Sequence, residues 1–323
     1  MESPAVVTRG SRLDRNTLCG GLAIVLWSTT IALVRSLCEQ LGPLTAAAAV
    51  YLVGGGLSLV AGRGTARFRS LPRLYLLGCG GLFVLNMISL TQAIGLSVDR
   101  VQVLEIGMVN YLWPSLTILF SLVLLKGRAR WLLVPGTALA LAGVFLVLTQ
   151  GAEVSWASLA HHLAGNPLAY LLALVAAISW ALYSNLTRRW SPVGGGGGAS
   201  LFMLATAGLL LALRLGTSEE TVWSFRAVAE TLFLGTATAT AYVCWERAMR
   251  HGDVVLVAAC SYFTPLLSTL VSCLYLGIAA GVQLWLGAAA IVCGSLMSWT
   301  AVSGPGDPST TKPVPATEAP TDR

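Results

Sequence analysis

The sequence predicts an all-α integral membrane protein in which ten transmembrane helices form two inverted five-helix repeats. Two observations support this fold class: long apolar runs with few charges, and an internal similarity between the two halves of the chain. Of the 323 residues, 55% are hydrophobic and 11% are charged, and the mean hydropathy is +0.75. Soluble domains carry about 25% charged residues, so this composition indicates a chain that crosses a membrane many times.

Ten apolar runs are long enough to cross a bilayer, whose hydrocarbon core takes about 20 helical residues. They lie at residues 17–37, 43–61, 74–95, 101–125, 131–149, 167–187, 200–215, 226–248, 254–276 and 282–302. The other segments are a cytoplasmic N-terminal segment at 1–16, an external loop at 150–166 and a tail at 303–323. The Pro- and Thr-rich composition of the tail predicts disorder, and SPVGGGGGAS at 191–200 is typical of a flexible linker.

Lys and Arg are distributed unevenly between the predicted loops. All but four of the 20 lie on the side of the membrane that also holds both chain ends. The exceptions are Arg35, Arg100, Arg214 and Arg226. Because cytoplasmic loops carry an excess of Lys and Arg, both termini are predicted to be cytoplasmic, in a bacterial inner membrane. The same distribution explains the basic net charge without a nucleic-acid partner.

An internal repeat relates the fourth and ninth runs. MVNYLWPSLTILFSLVLL at 108–125 aligns with ACSYFTPLLSTLVSCLYL at 259–276, which places Pro114 opposite Pro265. The same positions of both segments carry a tyrosine three residues before the proline. A shared order of Tyr and Pro within apolar runs predicts two structurally equivalent helices.

A second alignment relates the first and sixth runs. LAIVLWSTTIALVR at 22–35 aligns with LVAAISWALYSNLTR at 174–188, which places Trp27 opposite Trp180. Each repeat therefore holds five spans, and an odd number makes the second copy enter the membrane from the opposite side. Inverted repeats of this kind are typical of transporters that bind their substrate near the membrane midplane.

These residues resemble a known family. Three features resemble the EamA-type drug/metabolite transporter superfamily: the two five-span halves, the Trp in the first and sixth helices, and the sequence YLWP in the fourth helix. Two stretches within 104–148 resemble the aromatic amino acid exporters of this superfamily, of the YddG type. They are EIGMVNYLWPSLTILF and WLLVPGTALALAGV. The resemblance covers 17–302 and implies two EamA domains, at 17–149 and 167–302. It further implies export of aromatic, and of other neutral, amino acids by alternating access, without enzymatic activity or a cofactor.

Aromatic and amide side chains inside the spans form the candidate substrate site. Trp and Tyr normally lie at the membrane interfaces, so aromatic residues at mid-span indicate either a cavity wall or helix packing. An aromatic-lined pocket suits aromatic substrates, and neutral amides suit a net-neutral amino acid. The candidate substrate-binding residues are Trp27, Asn86, Asn110, Tyr111, Trp113, Trp180, Tyr183 and Tyr242.

Two prolines lie inside predicted helices. Pro114 cannot donate a hydrogen bond to the carbonyl of Asn110, and Pro265 cannot donate one to that of Ser261. Each proline therefore predicts a kinked helix. We expect Pro114 and Pro265 to act as hinges during alternating access, with a static kink as the alternative interpretation.

Ionisable residues within spans are functional candidates. Glu246, beside Arg247 in YVCWERAMR, is either an ion-paired structural residue or a proton-coupling site. Glu105 and Glu230 lie near the outer ends of their helices, where they can reach the interface. Since the sequence presents no central carboxylate pair, proton coupling and passive export both remain open.

The alternative function is export of small organic cations or drugs, or of another neutral metabolite, by a member of the same superfamily. Small-cation exporters of the same superfamily use a carboxylate in helix 1, whereas LCGGLAIVLWSTTIALVR has none. The histidines are His161, His162 and His251, in or near loops, which does not favour a hydrolase or a metal site. The adjacent pair is interpreted as solvated. A channel would need rings of charge or a carbonyl filter. We therefore predict a monomeric transporter of a small molecule, without a bound metal.

Overall fold

The computed structural model describes residues 14–61, 71–149, 154–191, 197–276 and 281–303, which are mostly helical. The helices are α1 (Arg15–Leu41), α2 (Pro43–Ala61), a π-helical turn (Tyr75–Cys79) that continues into α3 (Gly80–Gly95), α4 (Arg100–Asn110), α5 (Trp113–Leu124), α6 (Leu133–Leu148), α7 (Trp156–Gly165), α8 (Pro167–Trp190), α9 (Ala199–Arg214), α10 (Phe225–His251), α11 (Val254–Cys260), α12 (Phe263–Leu276) and α13 (Val282–Ala301). Two short strands are β1 (Arg128–Ala129) and β2 (Val302–Ser303).

Several of these segments are long and apolar enough to cross a membrane. Within the described residues there are seven, namely Pro43–Ala61, Tyr75–Gly95, Arg100–Leu124, Pro167–Trp190, Phe225–His251, Val254–Val271 and Val282–Ala301. Two shorter apolar helices are Leu133–Leu148 and Ala199–Arg214. The chain is therefore an all-helical, multi-pass membrane protein, as its composition predicted.

Two of the predicted spans are interrupted. The span predicted at 101–125 consists of α4 and α5, separated by Tyr111 and Leu112. The span predicted at 254–276 consists of α11 and α12, separated by Ser261 and Tyr262. Each break immediately precedes the segment that contains the proline, because an N–H is missing there from the ladder of helical hydrogen bonds.

The principal helix contacts join the first half of the chain to the second. α1 packs against α10, α2 against α9, α3 against α8, and α6 against α13. The broken helices also meet, because α11 contacts α5. The two halves thus interleave, and the aromatic core lies between them.

Glycines allow the closest of these helix pairs to form. A Cβ on Gly294 of α13 would lie 2.3 Å from the backbone nitrogen of Ala140 and 2.5 Å from the carbonyl oxygen of Gly136, both in α6. A Cβ on Gly54 of α2 would lie 2.9 Å from the carbonyl oxygen of Gly235 in α10. Small residues at such crossings let membrane helices approach closely, which is how they gain packing energy in lipid.

The loops differ from the predictions in two places. The external loop predicted at 150–166 contains α7, which Ser155 begins as an N-cap by accepting from the backbone N–H of Ser158 at 3.0 Å. Ser303, assigned to the tail, pairs with Arg128 in the β1–β2 ladder. Sequence periodicity could not predict this pairing, since two-residue strands carry no periodic signal.

Other predicted segments lie outside the described residues. These are the N-terminal segment up to residue 13, the tail from residue 304, and 192–196 of the predicted linker. Gly197 and Gly198, at the end of that linker, are described. They lie against the carboxylate of Glu246 just before α9, and the backbone N–H of Gly198 donates to it at 3.0 Å.

Candidate functional site

The structure gathers many aromatic side chains at the interface between the two halves. Trp27 of α1 lies edge-on to Trp180 of α8, with ring centroids 5.8 Å apart. Trp245 of α10 lies 5.3 Å from Trp27 and 5.6 Å from Trp180. Trp113 of α5 lies 5.4 Å from Trp245 and 6.2 Å from Trp180. We call Trp27, Trp113, Trp180 and Trp245 the tryptophan cluster.

Further aromatic rings extend this cluster on one side. Phe83 of α3 lies 4.9 Å from Tyr242 and 5.4 Å from Tyr183. Tyr242 in turn lies 5.6 Å from Trp27, and Tyr183 lies 5.1 Å from Trp180. These separations and the tilted or edge-on geometries are those that aromatic pairs favour. Helices from both halves therefore converge on one aromatic surface.

Five of the eight predicted site residues meet in this way, namely Trp27, Trp113, Trp180, Tyr183 and Tyr242. Trp113, Trp180 and Tyr242 are at most 8% exposed, and Trp27 is partly exposed. The other three predicted residues occupy different environments.

The three remaining residues are Asn86, Asn110 and Tyr111. Asn86 is buried in α3 and donates to the carbonyl of Ala176 in α8 at 2.8 Å, which ties two helices together. Tyr111 packs against the α6–α13 pair, away from the tryptophan cluster, in a group that also includes Tyr262. Asn110 ends α4, three residues before Trp113, and its buried side-chain oxygen has no hydrogen-bond partner among the described residues.

Several donors and acceptors at the cluster are available to a ligand. The indole N–H of Trp245 donates to Ser184 at 3.2 Å. The side-chain oxygens of Asn110 and Tyr183 are buried and have no hydrogen-bond partner among the described residues. Buried polar groups without partners are rare in proteins, and each requires an explanation. A ligand with both donor and acceptor groups would satisfy these groups.

The structure adds residues that the sequence reasoning missed. Trp245 is fully buried at the centre of the cluster, and its spacing of three from Tyr242 on α10 was the available signal. Asn185 is a further asparagine within a span; it is fully buried and donates to the carbonyl of Thr117 at 3.0 Å. Phe202 of α9 packs against Phe83 and Tyr75, with centroid distances of 6.0 and 5.6 Å.

Glu246 is hydrogen-bonded to the start of α9 and to Tyr75 rather than paired with Arg247. Its carboxylate accepts from the backbone N–H of Gly198 at 3.0 Å and of Ala199 at 3.1 Å, at the first residues of α9. It also accepts from the hydroxyl of Tyr75. Arg247, the expected ion-pair partner, instead donates to Asn16 at 2.8 Å. A carboxylate at a helix N-terminus stabilises the helix, because N–H groups and the helix dipole both favour negative charge.

Glu105 is fully buried rather than reaching the interface. It accepts from Ser158 at 2.8 Å and from the hydroxyl of Tyr170, and it contacts Nδ1 of His162 at 2.9 Å. His162 also lies 3.3 Å from the carboxylate of Asp99. His162 is therefore a linking residue between α4 and α7, not the solvated side chain that the sequence suggested. His161 is exposed.

Glu230 is likewise a linking residue, in this case between α1 and α10. Its carboxylate accepts from Ser36 at 2.9 Å, from Gln40 at 2.9 Å and from Arg226 at 2.8 Å. Its side chain is 10% exposed. Because three side chains donate to it, this carboxylate is held between the C-terminal end of α1 and the start of α10 instead of extending freely toward water.

Comparison with known proteins adds independent information. Residues 17–149 and 167–300 each match the EamA-like transporter family. The chain is 37% identical to the protein named Aromatic amino acid exporter YddG of Escherichia coli (strain K12), over 289 residues that make up 89% of this chain and 98% of that protein. It is 33% identical to the protein of the same name from Ancylobacter novellus, over 294 residues, 89% of this chain and 96% of that protein.

A solved structure has a similar fold. It superposes with a TM-score of 0.74 at 29% sequence identity, covering 89% of this chain and 98% of the other. The similarity therefore extends through both halves and across the tryptophan cluster that lies between them.

Proposed function

The chain belongs to the EamA-like transporter family, and we propose that it exports aromatic amino acids, with other neutral amino acids as further substrates. The observation that carries this proposal is the tryptophan cluster between the two halves of the chain. Transporters built from repeats bind their substrate where the repeats meet. An aromatic side chain entering this cluster would gain about 0.5–1.5 kcal/mol per ring pair beyond the burial of apolar area.

Asn110 and Tyr183 can bind the polar part of an amino acid. The side-chain oxygen of Asn110 can accept from an ammonium group, and the hydroxyl of Tyr183 can donate to a carboxylate. We propose Trp27, Trp113, Trp180, Tyr183, Tyr242 and Asn110 as the substrate-binding residues. Asn86 and Tyr111 are proposed in a supporting role, because Asn86 ties α3 to α8 and Tyr111 packs against the α6–α13 pair.

The finer architecture is also part of the proposal. Ten membrane-spanning helices result if α4–α5 and α11–α12 each count as one broken span and α1, α6 and α9 cross as well. Repeat-equivalent residues lie close together, as expected near a two-fold axis: Trp27 contacts Trp180, and Tyr111 and Tyr262 share one apolar group. The excess of Lys and Arg supports cytoplasmic termini in a bacterial inner membrane, and we propose a functional monomer.

The broken helices suggest how the cavity changes its access. The hydroxyl of Tyr262, in the break between α11 and α12, is hydrogen-bonded to Ser115, which follows Pro114 in α5. A bend of α5 at Pro114 would therefore displace the break beside Pro265 through this hydrogen bond. We propose these two breaks as the hinges. Closure of one side while the other opens would then expose the tryptophan cluster to each side of the membrane in turn.

Flux of radiolabelled tryptophan in proteoliposomes tests the proposed function. We expect flux that unlabelled phenylalanine suppresses and that a quaternary ammonium ion does not. Trp180→Ala should lower this flux about tenfold, since lost ring contacts and lost apolar area together exceed 1.4 kcal/mol. Trp285→Ala is the matched control, because Trp285 is 59% exposed on α13 and lies outside the cluster.

The opposite result would identify another substrate. Aromatic rings also bind organic cations through cation–π contacts. Suppression by the quaternary ammonium ion, without suppression by phenylalanine, would make the chain an exporter of small organic cations. Repeating the assay with an imposed pH gradient distinguishes proton-coupled from passive flux.

A further inference from the structure

An apolar groove opens on the outer surface between α3 and α9. Its volume is about 560 Å³ and all of its lining residues are apolar. One wall carries Gly81, Val84 and Ile88, and the other carries Leu201, Ala205 and Leu209. These residues recur every three or four positions, so each set lies on a single helix face. Neither wall offers a polar side chain to a solute that needs hydrogen bonds.

The groove has the length of one membrane leaflet. It runs along α3 and the preceding π-helical turn from Leu77 to Ile88, a rise of about 17 Å at 1.5 Å per residue. Half of a hydrocarbon core of about 30 Å is roughly 15 Å. Gly81 makes the groove deeper, because the space that a Cβ would fill there is empty: no atom lies within 4 Å of it.

One end of the groove is basic and aromatic. Arg73 lies one helical turn before Leu77 and is exposed. Trp190, at the end of α8, packs over the same turn, since a Cβ on Gly78 would lie 2.5 Å from its ring. Arg189 beside it is exposed as well. Tryptophan and arginine are the residues that meet phospholipid headgroups at a membrane interface.

We propose that this groove binds one acyl chain of an anionic phospholipid, whose headgroup lies at the end marked by Arg73 and Trp190. Apolar lining matches the chain, the length matches one leaflet, and the basic end matches the phosphate. The groove is open to the surface, so a lipid can enter sideways from the bilayer. This site is separate from the tryptophan cluster and does not depend on which solute that cluster binds.

Phe202 separates the proposed lipid from the aromatic core. It lines the groove, is 3% exposed, and contacts Phe83 and Tyr183 on its inner side, with centroid distances of 6.0 and 6.2 Å. A bound acyl chain would therefore hold Phe202 against the rings that surround the proposed substrate site. The lipid would be a structural ligand of the outer wall of that site.

Photolabelling with a lipid probe tests the proposal. The protein is reconstituted in phosphatidylethanolamine vesicles with a trace of phosphatidylglycerol that carries a photoreactive group near the end of its acyl chain. After irradiation, peptide mass spectrometry should find more label on Leu201–Leu209 than on Trp285 and Leu286, which are similarly lipid-exposed on α13 at 59% and 60%.

Two glycine variants provide the matched comparison. Gly81→Leu places a side chain in the groove and should lower the label on α9 about tenfold, because two displaced methylenes are worth about that factor. Gly208→Leu is the control, since Gly208 is exposed on α9, lies outside the groove, and a Cβ there also meets no atom within 4 Å. Thermal unfolding of both variants verifies that they fold.

Three results would overturn the proposal. Label spread evenly over α9 and α13 would indicate ordinary boundary lipid. Unchanged label in a folded Gly81→Leu variant would place the lipid elsewhere. Loss of label on addition of saturating tryptophan, with Gly81→Leu without effect, would make the groove a side entrance for solute.

Discussion

At the scale of single residues, the buried polar side chains divide into those that have partners and those that lack one. Glu105, Glu230 and Glu246 are each bound by several donors that join two or more helices. The oxygen of Asn110 has no partner among the described residues. An unpaired buried group costs about 1–3 kcal/mol, so its retention favours a role in binding over a role in stability.

Glu246 provides the first prediction. Glu246→Gln keeps one acceptor oxygen but removes the negative charge at the start of α9, so the midpoint of thermal unfolding in detergent should fall. The loss corresponds to about 1–3 kcal/mol. Glu220→Gln, at an exposed loop position, should leave the midpoint unchanged. The flux of Glu246→Gln should keep the wild-type response to a pH gradient, and loss of that response with normal stability would instead make Glu246 a coupling residue.

At the scale of secondary-structure elements, the two broken helices are the main departure from regular geometry. Breaks occur at equivalent positions of α4–α5 and α11–α12, beside Pro114 and Pro265. They are joined by the Tyr262–Ser115 hydrogen bond. Irregular backbone at membrane depth persists where protein or a cavity covers the freed carbonyl groups, which fits their position beside the tryptophan cluster.

The double variant Pro114→Ala with Pro265→Ala tests whether these breaks move. Alanine restores an N–H to each helix, so the protein should remain folded while tryptophan flux falls roughly tenfold. Pro167→Ala serves as the control, because Pro167 is in the first turn of α8, where proline is well tolerated. A wild-type rate in the double variant would reduce both breaks to static kinks.

The α6–α13 pair gives a prediction about stability. Gly294→Ala places a Cβ against the backbone of Ala140 and Gly136, which cannot yield as a flexible side chain can. Overpacking costs about 1–3 kcal/mol, so the midpoint of thermal unfolding should fall. Gly21→Ala, whose Cβ meets no atom within 4 Å, should instead raise stability slightly through helix propensity. Equal midpoints for the two variants would show that α6 and α13 pack less closely at Gly294 than the structure describes.

At the scale of the whole molecule, the orientation in the membrane is the testable quantity. With both termini cytoplasmic, the segment after α7 is external and the turn between α10 and α11 is cytoplasmic. Alkaline phosphatase fused after Gly165 should therefore be active, and the same enzyme fused after Gly252 should be inactive. The reverse pattern would place both termini on the external side of the membrane, against the distribution of Lys and Arg.

Much of the fold followed from the sequence because the bilayer constrains the chain strongly. Apolar runs such as 43–61 and 282–302 coincide with α2 and α13 within a residue. The prolines likewise marked both broken helices. Short elements, including α7 and the β1–β2 pairing, were not predicted from the sequence. Their segments are too short to carry a clear periodic pattern of apolar residues.

The candidate site was predicted less completely. Mid-span tryptophans indicated the cluster, but Trp245 was not predicted because it directly precedes the charged residues Glu246 and Arg247, a pattern that is typical of the end of a span. Tyr111 was included through its position beside Asn110, yet it packs against α6 and α13. At a helix break, side chains of residues that are adjacent in sequence point in different directions. Only the folded chain fixes those directions.

The sequence alone determined that this chain crosses a membrane repeatedly, contains two related halves, and carries aromatic residues where transporters bind solutes. These properties depend on hydropathy, charge and local order along the chain. The tertiary structure decided which aromatic rings meet, that the three buried glutamates join helices, and that a groove lies between α3 and α9. Those properties depend on contacts between residues far apart in the chain, such as Ser36 with Glu230, which are 194 positions apart. Patterns within a short stretch of sequence cannot predict such non-local contacts.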